Sequence, residues 1–218
     1  MFTHFICFAN SRKYGERCVA GIEVSLNGEK GLNFVRKDGK PKWIRPVTIR
    51  EHGQIDERLV KNISLLDLVK VKIAGAMNET YQVENVLVDK YSFEKIRHLP
   101  LTEKHLDALC SDDATLFGNT LNHITKKESA SIHHSLMLIK VQQLDVLITS
   151  TPLKTGIKAN FIYNRAKYEL PVTDVCFCDR LMANRDFYKS ANAFYLTVSL
   201  GVLYEEKHFK LAAGVIAR

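Results

Sequence analysis

Long apolar runs are missing from this chain. Nowhere in its 218 residues does an uncharged apolar stretch reach the roughly 18 residues that cross a bilayer as a helix. The opening MFTHFICFAN is apolar, but it has no basic n-region and the charged SRKYGER follows at once. No signal peptide is therefore expected, and a cytoplasmic location is. Catalytic and cofactor motifs are missing too: there is no G-x-x-x-x-G-K-[ST], no G-x-G-x-x-G, and neither HExxH nor HxE among the scattered histidines. The five cysteines are an odd count without zinc-ligand spacing, because Cys176-Phe177-Cys178 is CxC and has no second pair. Reduced, buried thiols are the expectation, with no metal and no cofactor. Ser11, Lys13 and Cys18 lie near cations, but no histidine stands close enough in sequence to serve as their base, so no enzyme is expected. Tryptophan occurs once, as Trp43.

What is present is an ordinary globular composition, 46% hydrophobic and 25% charged, with an uneven charge of +7. Residues 1–50 carry +6, residues 51–150 carry −3 and residues 151–218 carry +4. Two basic ends around an acidic middle suit a surface that faces a polyanion if the ends meet in space.

Strand signals fill the N-terminal part. His4–Ala9 runs to the turn formers Asn10-Ser11, and Cys18–Val24 runs to Asn27-Gly28. Trp43–Val47, the alternating Leu68–Ile73 and the alternating Tyr81–Val86 complete five strands in under 90 residues, a count that suits a small closed barrel. Residues 89–130 are acidic and read as a mostly helical connector, with Thr102 as an N-cap before Leu106 and Leu109. Strands return from Ser135 to Thr149, as one bent strand or two short ones. A hairpin over 158–172 follows, then a helix over Cys176–Tyr188 introduced by Thr173-Asp174, and finally strands over Asn192–Leu200 and Phe209–Ile216. The expected division is a barrel over 1–88, a connector over 89–130 and a second β-rich unit over 131–218.

Two places have the residue types that hold nucleic acid. The segment Asn10–Cys18 offers Arg12, Lys13 and Arg17 with Tyr14 on a loop at a barrel end, a set suited to phosphates and one stacked base. The second is Trp43 with Arg45 two residues on, preceded by Arg36, Lys37, Lys40 and Lys42. Alternate residues of a strand share a face, so an indole and a guanidinium would lie side by side there. The other reading of Trp43 is barrel core, with Arg45 held by a buried carboxylate.

Several segments resemble the bacterial dual-OB-containing domain family. They are Phe8–Lys13 with Arg17–Glu23, Trp43–Val47, Leu65–Val69, Tyr81–Asn85, Leu170–Asp174, Leu196–Gly201 and Phe209–Ile216, in order from about residue 4 to the C-terminus. Two departures stand out: the segment between Val24 and Trp43 is long and basic, and Val202-Leu203-Tyr204 stands where the family has a Glu-Pro pair. The resemblance implies a mainly β protein with a few helices, two OB-like five-stranded barrels in tandem joined by a partly helical connector. It also implies nucleic-acid sensing in prokaryotic conflict or defence systems, and it carries no catalytic residue. The function expected is non-enzymatic binding of single-stranded DNA or RNA through Arg12, Lys13, Tyr14, Arg17, Arg36, Lys37, Trp43 and Arg45. An operon-encoded protein partner fits as well. The alternatives are an adaptor whose barrels hold a partner protein, and a sensor of a small nucleotide.

Overall fold

Strand β1 (Phe2–Lys13) is apolar on both sides over much of its length, with Phe5 to Ala9 all buried. A strand buried on both faces needs neighbours on both edges, and β1 has them: β2 (Glu16–Asn27) on one side and β7 (Asp67–Ala76) on the other, both antiparallel. The computed structural model describes residues 1–28, 31–77, 81–150 and 155–218. The chain divides into two units, Met1–Glu79 with Val83–His105 and Thr80–Gln82 with Leu106–Arg218.

In the first unit a two-residue turn, Tyr14-Gly15, joins β1 to β2 with both residues at positive φ, the conformation that matches strand twist in a tight hairpin. The short β3 (Gly31–Phe34) pairs back on β2, and a small hairpin follows, β4 (Arg36–Lys37) with β5 (Lys40–Pro41). β6 (Trp43–Val47) pairs antiparallel with β2 and parallel with β8 (Asn85–Val88), which pairs antiparallel with β7. The ring β1-β2-β6-β8-β7-β1 is closed. Between β6 and β7 lies α1 (Glu57–Val60), N-capped by Asp56, and β9 (Glu94–His98) extends the sheet from β7. Phe5, Cys7, Val19, Ile44, Val69 and Val71 fill the interior.

The segment expected as a helical connector is partly helical. It holds α2 (Glu103–Asp107), the 3₁₀ turn Leu116–Gly118 and α3 (Lys126–Ser129), with Thr125 and Glu128 forming a capping box on the last. It also holds two strands, β9 and β10 (His123–Thr125), of which β10 pairs with the final strand of the chain.

The second unit repeats the connectivity of the first. The Ser135–Thr149 stretch is two strands, β11 (Leu136–Val141) and β12 (Asp145–Ser150). β12 pairs with β13 (Thr155–Tyr163), β13 with β14 (Ala166–Pro171), and β11 with β15 (Phe194–Tyr204), which pairs with β16 (Lys207–Ala217). Val172, just past β14, makes a parallel bridge to Ala212 of β16. In the first unit the first strand pairs with the second and fourth, the third runs parallel to the fifth, and a helix separates the third from the fourth. In the second unit β11 and β12 divide the first strand's pairings between β15 and β13, the Val172–Ala212 bridge stands for the third-to-fifth pairing, and a helix again separates third from fourth. This is the OB connectivity, and the molecule is mainly β, with a closed five-stranded barrel in the first unit and a half-barrel in the second. The second helix, α4 (Val175–Ala183), is capped by Asp174, whose other oxygen accepts the Val215 N–H at 2.8 Å. Leu138's neighbours Met137 and Ile139, with Leu170, Phe177, Leu196 and Val198, belong to this unit's own core.

Three readings of the sequence change, the first being the helix expected over Cys176–Tyr188, which ends at Ala183 with Asn184 as its C-cap. Asn10-Ser11 is strand, because the Asn10 amide donates to the carbonyls of Val60 and Ile63 and so is buried in the barrel. Of the expected strand Tyr81–Val86, only Asn85 and Val86 lie in β8, while Gln82 donates to the Leu200 carbonyl and Tyr81 lies against His208 at 4.1 Å, both in the second unit.

Candidate nucleic-acid interface

The first group of expected residues sits at the β1–β2 turn. Arg12 pairs across the hairpin with Arg17, and Lys13 with Glu16. Tyr14 is 59% exposed and stacks on His52, ring centroids 4.0 Å apart. Arg12 is exposed, as a phosphate ligand must be. Arg17 is not: it is buried and ion-paired with Glu57, and its backbone exchanges hydrogen bonds with Ile55 at 3.0 and 2.8 Å. Its role is to fasten α1 to β2, since a guanidinium already desolvated against a carboxylate has little to offer a phosphate.

The second group divides in the same way. Arg36 and Lys37 are exposed on the β4–β5 hairpin, whose turn residues Asp38 and Gly39 have positive φ and whose Arg36 Nη1 donates to the Gly39 carbonyl at 2.9 Å. Lys40 and Lys42 are exposed beside them, Lys42 2.5 Å from Glu23. Trp43 is half-buried with its ring in edge contact with Phe8 at 6.0 Å, so it is neither wholly core nor wholly a free stacking plane. Arg45 overturns the expectation of a fork held out to a phosphate. It is 1% exposed, its Nη1 donates to Asn85 Oδ1 at 3.3 Å, and its backbone N–H donates to the Glu84 carbonyl. Arg45 and Asn85 are register partners in the β6–β8 ladder, and the guanidinium held to Asn85 is enclosed although Arg45 stands two residues from Trp43.

The two groups do not meet. The Tyr14 turn and Trp43 are separated along β2 by the six residue steps from Glu16 to Ile22, the partner of Trp43, which is roughly 20 Å of strand. Near the turn lie side chains that the sequence reading missed: Arg50, Asp56 and Arg58 in and after the loop that follows β6, with Lys90 and Tyr91 after β8, around a cleft of about 410 Å³. Each is an isolated surface residue in the sequence, and only the parallel β6–β8 pairing brings the two loops to one end.

Short hydrogen bonds knit the titratable cluster of the second unit. Tyr195 Oη donates to Asp107 at 2.6 Å, and Lys140 Nζ lies 2.9 and 3.1 Å from the two Asp107 oxygens. These bonds, the tyrosine's first, hold the Asp107 carboxyl below its usual range, while burial and Asp107 push Tyr195 up to about 12. Burial likewise pushes the Cys110 thiol up to about 12, where it is no nucleophile near neutral pH. Burial pulls the Lys210 ammonium down to about 8, but Asn119 engages it through both its backbone and side-chain oxygens, at 2.9 and 2.7 Å.

Two OB units in one chain define a tandem OB module. The chain belongs to the dual OB-containing domain family, which matches residues 3–215. Among solved structures, the whole chain aligns with one described as the molecular basis for abrogation of activation of pro-inflammatory cytokines, at 5% identity, 92% of that chain and a TM-score of 0.34. It aligns as fully with a murine DNA-binding protein bound with double-stranded DNA, at 7% identity, 96% of that chain and a TM-score of 0.33. A third is the tetrameric p202 HIN2, at 8% identity, 94% of that chain and a TM-score of 0.30. No curated protein matches the chain.

Proposed function

We propose that the protein is a non-enzymatic nucleic-acid-binding module that prefers single strands and contacts them with its first barrel. The observation that supports this reading is the β4–β5 hairpin, where Arg36, Lys37, Lys40 and Lys42 stand exposed beside Asp38, with Lys42 also paired to Glu23, and lead directly into Trp43. OB barrels take oligonucleotides on the face of their second and third strands. In this barrel those strands are β2 and β6, and the hairpin rises between them. The cations would follow the phosphates while the open part of the indole stacks a base. Arg12, Lys13 and Tyr14, at the β1–β2 turn, lie too far from Trp43 to share one nucleotide with it, and would meet the strand several nucleotides on. The module would act as a sensor or adaptor, in keeping with a place in prokaryotic conflict systems.

Filter binding of an oligonucleotide across a salt series tests this. Each phosphate contact on a single strand contributes about 0.7 to the log–log slope. Replacing Lys37 and Lys40 by Ala should flatten the slope by about 1.4, and Trp43→Ala should cost about 1–3 kcal/mol of binding. A wild-type slope near zero rejects the reading, and equal affinity for duplex rejects the single-strand preference.

A further inference from the structure

We infer that the cleft at the β1–β2 end of the first barrel is a second binding site, separate from the hairpin, for a phosphomonoester joined to a planar ring: a nucleotide, either free or at the end of a strand. At about 410 Å³ the cleft falls in the lower part of the range occupied by small-molecule sites. Arg50, Arg58 and Lys90 line it against one carboxylate, Asp56, leaving a net charge of +2 among the lining side chains. A phosphomonoester near neutral pH carries close to two negative charges, whereas a phosphodiester inside a strand carries one, so the lining matches a terminal phosphate.

The cations are held in place before any ligand arrives. Asp56 accepts from Arg58 Nε and Nη2 at 3.0 and 2.6 Å, and lies 3.7 Å from Arg50 Nη2. Arg50 Nη1 in turn donates to Glu16 at 2.7 Å. A guanidinium has five N–H donors, and among the described residues Arg58 spends two of them on Asp56. The rest of its fork remains for an anion, on a side chain that is 85% exposed. Lys90 lies 4.9 Å from the ring centre of Tyr91, so cation and ring are presented together.

Tyr91 is 76% exposed, unusual for so large a ring, and its backbone is fixed by a turn in which its N–H donates to Asp89 Oδ1 at 3.2 Å and the Ser92 N–H donates to the Asp89 carbonyl at 3.0 Å. An open aromatic plate beside a cationic, phosphate-sized recess is the arrangement that takes a base and its phosphate together. Leu59, from α1, adds apolar surface for the ring. The neighbouring Tyr14–His52 stack closes the same end of the barrel.

Calorimetric titration of the full chain with AMP, adenosine and inorganic phosphate tests the site. AMP should bind, and adenosine and phosphate should each bind at least about tenfold more weakly, since each keeps half of the contacts. Arg58→Ala should weaken AMP about tenfold or more, Arg58→Lys should restore only part of that, and Tyr91→Ala should weaken it at least about fivefold. Both positions are exposed, so the three variants should melt with the wild type. The double replacement of Lys37 and Lys40 by Ala should leave AMP binding unchanged, and a chain that binds AMP but no oligonucleotide would overturn the hairpin reading alone. Displacement of AMP by a 5′-phosphorylated oligonucleotide but not by its 5′-hydroxyl form assigns the site to strand ends, and failure of both to displace it assigns the site to free nucleotides. No AMP binding at millimolar concentration, or binding indifferent to Arg58→Ala and Tyr91→Ala, overturns the inference.

Discussion

Arginines of this barrel differ in role by where their partners lie. Arg45 and Arg58 are both cations in a basic first half of the chain, yet Arg45 is enclosed against Asn85 while Arg58 stands in solvent. Arg45→Ala should therefore act on stability: removing a buried, hydrogen-bonded guanidinium costs about 2–4 kcal/mol, and affinity per folded molecule should stay the same. Chemical denaturation alongside filter binding measures both, and a loss of affinity in a variant of unchanged stability would contradict the assignment. Asp174 gives a pH signature. Burial pushes its carboxyl up to about 6, against the pull of the Phe177 and Val215 N–H groups. A folded-state value above the unfolded one means that the protonated form is favoured on folding, so this contribution is complete below about pH 4 and is lost as the pH rises through about 6. A rise from 3.8 to about 6 corresponds to about 3 kcal/mol. Denaturant melts of wild type and Asp174→Asn should show the wild type losing about that much relative to the variant between about pH 4 and pH 7, and parallel profiles would refute it.

Elements are held in register by close backbone approaches as well as by apolar pattern. Gly21 faces Cys7 across the β1–β2 ladder, and a Cβ placed there would lie 2.0 Å from the Ile6 carbonyl oxygen and 2.7 Å from the Phe5 ring. Backbone cannot yield by that much without opening the pair. Gly21→Ala should destabilise the first barrel by about 2–4 kcal/mol, read as a lower denaturation midpoint, and a neutral effect would mean that the strands are not so closely apposed. The same element shows why Asn10-Ser11 misleads as a turn signal. Asn favours turns because its amide bonds nearby backbone, but in β1 that amide is taken up by carbonyls at Val60 and Ile63, 50 and 53 residues away. Tyr14-Gly15 made the turn instead, since a glycine at positive φ permits the tight hairpin.

Each unit fills its own interior, one around Phe5, Val19 and Val69 and the other around Phe161, Phe177 and Leu196. Native-state hydrogen exchange should accordingly resolve two cooperative sets of amides. Gly21→Ala should speed exchange in β1, β2 and β6 while β15 and β16 keep their protection, and a uniform rise across both sets would show that the units open together. No helix among the described residues is long and apolar enough to cross a membrane.

The sequence by itself determined the β character, most strand positions, the hairpin around Asn164-Arg165 and the cap at Asp174, because alternation, turn chemistry and capping are properties of neighbours along the chain. It also placed exposed cations at Arg12, Arg36 and Lys37, where a polar run has little to cover it. Only the tertiary structure decided which cations are buried, since the partners of Arg17 and Arg45 lie 40 residues away and the desolvation that changes their roles follows from that meeting. The cleft of Arg50, Arg58, Lys90 and Tyr91 has the same origin. The parallel pairing of β6 with β8 brings the loops after both strands to one barrel end, and a contact between segments 40 residues apart leaves no periodicity or spacing in the chain to read.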